Sequence, residues 1–184
     1  MRLSLDKQSG LIIQARQISS PNCDARPDGL LPELIVLHCI SLPPGEYGGP
    51  WIDQLFCNSL NPLDHEYFAQ IYNIKVSAHF MINRLGELTQ YVPIHLRAWH
   101  AGNSNYLGRK SCNDYSIGIE LEGDEINLYS DFQYKTLVGL IKTLRNGIES
   151  LANAPIVGHN EIAPGRKTDP GEAFDWNKLQ SFNF

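Results

Sequence analysis

The sequence predicts an α/β (α+β) fold: a single domain in which a central mixed β-sheet is flanked by helices. Three observations predict it. Short β-branched apolar runs alternate along the chain with helix-patterned segments, the order expected when helices cover a sheet. The chain has 184 residues, enough to bury one core without disulfide staples. Its 42% hydrophobic and 19% charged residues are ordinary for a globular protein. No internal repeat, low-complexity tract or linker divides it.

The first clear strand is Glu33 to Ile40, a β-branched run after the turn signal Arg26-Pro27-Asp28-Gly29. Ser41 to Pro50 follows, too rich in proline and glycine for a regular element. Loops of this length in compact domains usually cover a site. Pro50 then opens a short helix with Trp51, Leu55 and Phe56 on one side. Ser77 to Asn83 and Glu87 to Val92 read as a hairpin around Arg84-Leu85-Gly86, and Tyr115 to Leu121 as a further strand. Ser130 with Gln133 three residues later forms a capping box. Leu137, Leu140, Ile141, Leu144, Ile148 and Leu151 then recur at helical spacing. A short strand at Pro155 to Val157 leads into the loop Gly158 to Gly171, and Phe174 to Phe182 closes the chain as a helix.

A net charge of −5, with no cluster of lysine or arginine, argues against a nucleic-acid surface. Met1 to Lys7 is polar and Leu11-Ile12-Ile13 is too short for a secretory h-region, so a cytoplasmic protein is expected. No apolar run approaches a membrane span, and no obligate protein partner is evident. Cys23, Cys39, Cys57 and Cys112 lack a C-x-x-C pair and read as free thiols.

The loop from Gly158 to Gly171 carries the chemistry. His159 and Asp169 are nitrogen and carboxylate ligands of the kind that suits zinc, and Lys167 between them is a cation suited to an oxyanion. A catalytic zinc takes three protein ligands, and His38 at the end of Leu34-Ile35-Val36-Leu37 is the best third. Strand alternation sends Cys39 to the opposite face, away from such a metal. A proton acceptor is needed too. Ser116 to Glu122 offers Glu120 and Glu122 on one strand face with Gly118, and the pattern does not choose between them. Gly118 is expected to leave room for substrate beside Glu120. His65 and His95 read as surface residues, and His79 and His100 as pocket-lining or structural.

Several segments together resemble the zinc amidase family shared by phage amidases and peptidoglycan recognition proteins. They are Leu37 to Gly45, Gly49 to Asp53, Val76 to Phe80, Arg97 to Gly102, Cys112 to Gly123 and Gly158 to Gly171. The likeness runs in order from about residue 12 to residue 178, within one domain of residues 1–184. It implies the peptidoglycan recognition protein-like fold, with one zinc (Zn2+) held by His38, His159 and Asp169 at the bottom of a groove. It implies Glu120 as general base and Lys167 as the cation that stabilises the oxyanion. The implied reaction hydrolyses the amide between the lactyl group of 1,6-anhydro-N-acetylmuramic acid and L-alanine of the stem peptide. The implied setting is peptidoglycan recycling, whose loss in relatives induces β-lactamase.

A muropeptide of this kind is then the expected ligand. Lys75, Arg97 and Arg109 are candidate cations for its carboxylates. Tyr47 and Trp99 are candidate walls or sugar platforms, with His79 and His100 beside them, while Trp51 is expected in the core. Close relatives carry asparagine at Cys39 and arginine at Lys75 and Ser111, so substrate affinity is where this chain is expected to differ. Two rivals are weaker. A binding module that has lost a ligand conflicts with three filled ligand positions. A glycosidase would need carboxylates farther apart than same-face neighbours on one strand.

Overall fold

The computed structural model describes residues 3–182. The strands in chain order are β1 (Leu5–Asp6), β2 (Leu11–Ile12), β3 (Arg16–Gln17), β4 (Cys23–Ala25), β5 (Leu34–Ile40), β6 (Phe80–Ile82), β7 (Leu88–Gln90), β8 (Leu96–Ala98), β9 (Asn105–Tyr106), β10 (Arg109–Lys110), β11 (Ser116–Glu122) and β12 (Ile156–Gly158). The α-helices are α1 (Trp51–Phe56), α2 (Phe68–Ile71), α3 (Asp131–Gly147), α4 (His159–Ile162) and α5 (Trp176–Gln180). The central sheet has the order β12-β5-β11-β6-β7-β3. Its β12-β5, β5-β11, β11-β6 and β3-β7 pairs are parallel and β6-β7 is antiparallel, so the expected mixed sheet is present.

The two faces are sorted by strand parity. Ile35 and Leu37 of β5 and Ile117, Ile119 and Leu121 of β11 face α3, packing on Leu137, Leu140, Ile141 and Leu144. The other face takes Leu34 and Val36, joined by Ala101, Tyr115 and Val157. Farther along that face, Met81 packs with Ile52, Leu55 and Phe56 of α1 and Phe68 of α2. Trp51 lies against Phe68, ring centroids 5.2 Å apart, on the core side as expected.

α3 has the capping box read from sequence, with Gln133 N–H donating to Ser130 Oγ and Ser130 N–H to Gln133 Oε1. It ends at Gly147, earlier than the apolar spacing through Leu151 predicts. Ile148 is extended (φ −127) and Leu151 falls in a separate 3₁₀ turn. The weak helix propensity of glycine accounts for the stop. The hairpin is present but its strands are shorter than predicted. His79 nonetheless extends the ladder by bonding Gly118 O and accepting from Tyr91 N–H. The segment after β12 is not wholly loop, because α4 forms one turn, stabilised by Glu161 Oε1 accepting from Gly158 N–H. α5 is capped by Asp175, which accepts from Lys178 N–H. Among the described residues no helix is long and apolar enough to cross a membrane.

Candidate metal centre

Three adjacent parallel strands deliver the chemistry from their C-terminal ends, where open α/β sheets place ligands. β5 supplies His38, and its register partner on β11 is Glu120. On the other side β12 ends at Gly158, and His159 follows as the first residue of α4. Asp169 returns to the same place because Asn160 N–H donates to its backbone carbonyl at 3.0 Å.

The result is a compact triangle. His38 Nδ1 lies 2.9 Å from His159 Nδ1, and each is 3.1 Å from Asp169 Oδ2. All three residues are buried and form the group able to hold a metal ion. Tetrahedral zinc with nitrogen and oxygen ligands at about 2.0–2.1 Å has ligand–ligand edges of roughly 3.3–3.4 Å, so the triangle needs only a slight expansion. Protonation states suit a cation. Burial drives His38 down to about 4, so its imidazole is neutral. Burial raises Asp169, but hydrogen bonds from His159 and His38 outweigh it and hold the carboxyl below its usual range. His159 Nε2 lies 3.2 Å from the Ala101 carbonyl, which accepts its N–H and leaves Nδ1 to face the triangle.

Glu120 stands beside this triangle. Its Oε2 is buried with no hydrogen-bond partner, an orphaned acceptor that only a bound ligand, ion or water would satisfy. Burial, and secondarily Asp169, push its pKa well above the carboxylate range, while Lys167 pulls the other way. Lys167 itself is exposed, its backbone N–H held by Ala163 O. Glu122, on the same strand face, is differently placed. Its oxygens accept from Gly48 N–H at 2.5 Å and Arg84 N–H at 2.9 Å, so it ties the 41–50 loop to the hairpin turn.

The remaining candidates separate. His100 is buried and touches His38, with Nδ1 2.9 Å from His38 Nε2. His79 is fully buried and accepts from Gly118 N–H at Nδ1, so Nε2 carries the proton and donates to Leu96 O. Of its two readings, the geometry selects the structural one. Arg97 is committed to Asp24 and Asp114, and Trp99 Nε1 donates to Asp24. Arg109 pairs with Glu33 over the ring of Tyr115. Tyr47 donates to Asp124 at 2.6 Å with the Arg84 guanidinium over its ring. Lys75 is exposed and pairs with no carboxylate among the described residues. Gly118 leaves no room for substrate. A Cβ there would lie 2.4 Å from Cγ of His100, so the space belongs to that ring. Cys39 packs with the cluster under α3, away from the triangle, and burial raises its thiol to about 12. His95 is exposed but His65 is half-buried, bonding the Tyr67 N–H.

Sequence reasoning missed Ser116, whose hydroxyl meets His100, and Arg166, which donates to the Ala101 carbonyl. No periodicity marks either, since both act through backbone carbonyls.

The family to which this fold belongs gives the class, a hydrolase of amide bonds. Residues 28–172 match the N-acetylmuramoyl-L-alanine amidase family, and the chain belongs to it. Within that family the likeness is to AmpD. The chain is 52% identical over 172 residues to the 1,6-anhydro-N-acetylmuramyl-L-alanine amidase AmpD of Salmonella typhimurium, covering 94% of this chain and 91% of the relative. It superposes on a crystal structure of an AmpD selenomethionine derivative with a TM-score of 0.92 at 51% identity, covering 96% of this chain and 97% of that one. A more distant neighbour is the Escherichia coli amidase AmiD in complex with anhydro-N-acetylmuramic acid-L-Ala-D-γ-Glu-L-Lys. It has a TM-score of 0.58 at 26% identity, covering 96% of this chain and 64% of that one.

Proposed function

We propose that the protein is a zinc-dependent amidase that hydrolyses the bond between the lactyl group of 1,6-anhydro-N-acetylmuramic acid and L-alanine of the stem peptide. Its setting is cytoplasmic peptidoglycan recycling. The observation that carries the reading is the buried triangle of His38, His159 and Asp169 with the unpartnered Glu120 oxygen beside it. Membership of the amidase family supports it. The donor set, two imidazoles and one carboxylate, fits zinc.

His38, His159 and Asp169 would hold the metal, which when bound supplies Lewis acidity and lowers the pKa of water. Glu120 acts as the base that takes a proton from the attacking water. Its raised pKa lets it hold that proton and deliver it to the alanine nitrogen as the carbon–nitrogen bond breaks, so that a neutral amine leaves. Lys167 stands near Glu120 and offers its ammonium to the oxyanion that develops on the carbonyl. Lys75, exposed and without a carboxylate partner among the described residues, is the cation we assign to a peptide carboxylate. Arg97 and Arg109 would act through their existing ion pairs.

The test incubates purified protein with anhydromuramyl tripeptide, with and without chelator, and identifies products by mass. Release of free tripeptide that stops with chelator and returns with zinc is expected. Cleavage that ignores the chelator, or none with zinc present, would sink the reading.

A further inference from the structure

A hydrogen-bond chain behind His38 has a direction that can be read from its far end. The Cys112 carbonyl can only accept, and Ser116 Oγ donates its single proton to it at 2.6 Å. Ser116 Oγ must then accept from His100 Nε2, 3.1 Å away. A neutral His100 protonated at Nε2 has a bare Nδ1, and that atom faces His38 Nε2 at 2.9 Å. His38 therefore donates from Nε2, and its lone pair sits on Nδ1, the atom turned toward His159 and Asp169. Among the described residues His100 is the one hydrogen-bond partner of His38 Nε2.

Packing holds the chain in place. The His100 ring meets the His38 ring edge-on, centroids 5.0 Å apart and planes at 83°. Gly118 of β11 lies against it so closely that any Cβ would collide with the ring. The His100 and Ala101 N–H groups both donate to Asn113 Oδ1, fixing the backbone from which the ring projects. His159 is oriented by a shorter route, since its Nε2 meets the Ala101 carbonyl directly. Each imidazole is thus oriented by a backbone carbonyl, Ala101 directly for His159 and Cys112 through two intervening side chains for His38.

We propose that His100, seated against Gly118 and polarised by Ser116, is a positioning residue that fixes the tautomer of His38 and thereby sets the affinity of the three-ligand centre for its divalent metal. The inference rests on the metal-centre reading given under the proposed function.

The test uses the full chain and zinc alone, measuring affinity by competition with a chromophoric chelator. Imidazole nitrogen NMR of the metal-free protein reads the His38 tautomer in parallel. His100→Phe leaves His38 Nε2 without an acceptor and should weaken zinc binding roughly tenfold to a hundredfold. His100→Asn restores an acceptor oxygen near the former Nδ1 and should recover most of that loss. Ser116→Ala releases His100 to either tautomer and should cost about fivefold, the equivalent of one neutral hydrogen bond. In the wild type the His38 proton should reside on Nε2, and in Ser116→Ala it should divide between the two nitrogens. Unchanged zinc affinity in His100→Phe and Ser116→Ala overturns the proposal. So does weakened affinity with an unchanged tautomer, which loosened packing alone would give. If His100→Phe does not fold, Ser116→Ala decides. A wild type that binds no zinc overturns the metal-centre reading, and this inference falls with it; a wild type that binds zinc beside indifferent variants overturns this inference alone.

Discussion

Glu120 and Glu122 are two residues apart on one face of β11, and their surroundings divide them. Glu122 spends both oxygens on backbone amides, whereas Glu120 keeps Oε2 buried and bare beside the ligand triangle. Glu120→Gln should therefore retain zinc while turnover falls by about a hundred- to ten-thousandfold, the usual worth of a placed base. Metal analysis and kinetics on one preparation check this. Full activity with full zinc would remove Glu120 from the chemistry. Lys167→Met tests the oxyanion role. Losing one preorganised donor should lower kcat about a hundred- to a thousandfold with KM little changed. A change confined to KM would make Lys167 a substrate anchor instead.

Elements place these residues, and here legibility was uneven. β5, β11 and α3 were readable because each has a strong period and a clear boundary signal, such as the Ser130–Gln133 box. Their C-terminal convergence was not, since parallel register between β5 and β11 is set by tertiary packing across residues far apart in sequence. The two- and three-residue strands β1 to β4 and β8 to β10 are too short to show any period. His38, His159 and Asp169 could be singled out by residue type and loop context. His100 could not, because its role depends on a serine hydroxyl and a missing Cβ on β11. The 41–50 loop makes a prediction of its own. Glu122 accepts from Gly48 N–H, and Tyr47 reaches Asp124, so two ties hold the loop down. Glu122→Ala should leave zinc binding intact, raise KM more than it lowers kcat, and speed limited proteolysis between Gly45 and Gly49. Cleavage at the wild-type rate would show that the loop is held elsewhere.

At the scale of the whole molecule, the buried histidines link folding to pH. Burial lowers His38 to about 4 and His79 to about 3, and carries His100 well below its ordinary value. For each, the folded value lies below the unfolded one near 6.5, so the unfolded chain binds more protons as pH falls. Their stabilisation is complete above pH 6.5 and is lost as pH drops toward the folded values. Glu120 acts in the opposite sense. Burial raises it, so between about 4.5 and its folded value the folded chain binds the extra proton. Three lowered rings outweigh one raised carboxyl, so unfolding takes up protons as pH falls below about 6.5. The metal-free protein should therefore lose stability steadily as pH falls from about 6.5 toward 5. Urea unfolding at pH 7, 6 and 5 measures it. Zinc at a thousandfold excess over its Kd should add about 4 kcal/mol at pH 7, and less as acid competes for the imidazoles. The His79→Asn protein separates the contributions, since it removes one titrating ring that is not a ligand. Its pH slope should be shallower by one proton with the zinc increment preserved. A slope equal to wild type would mean that His79 is already neutral in the unfolded chain or charged in the folded one, and burial against Arg26 and the Gly118 amide would then no longer account for its state.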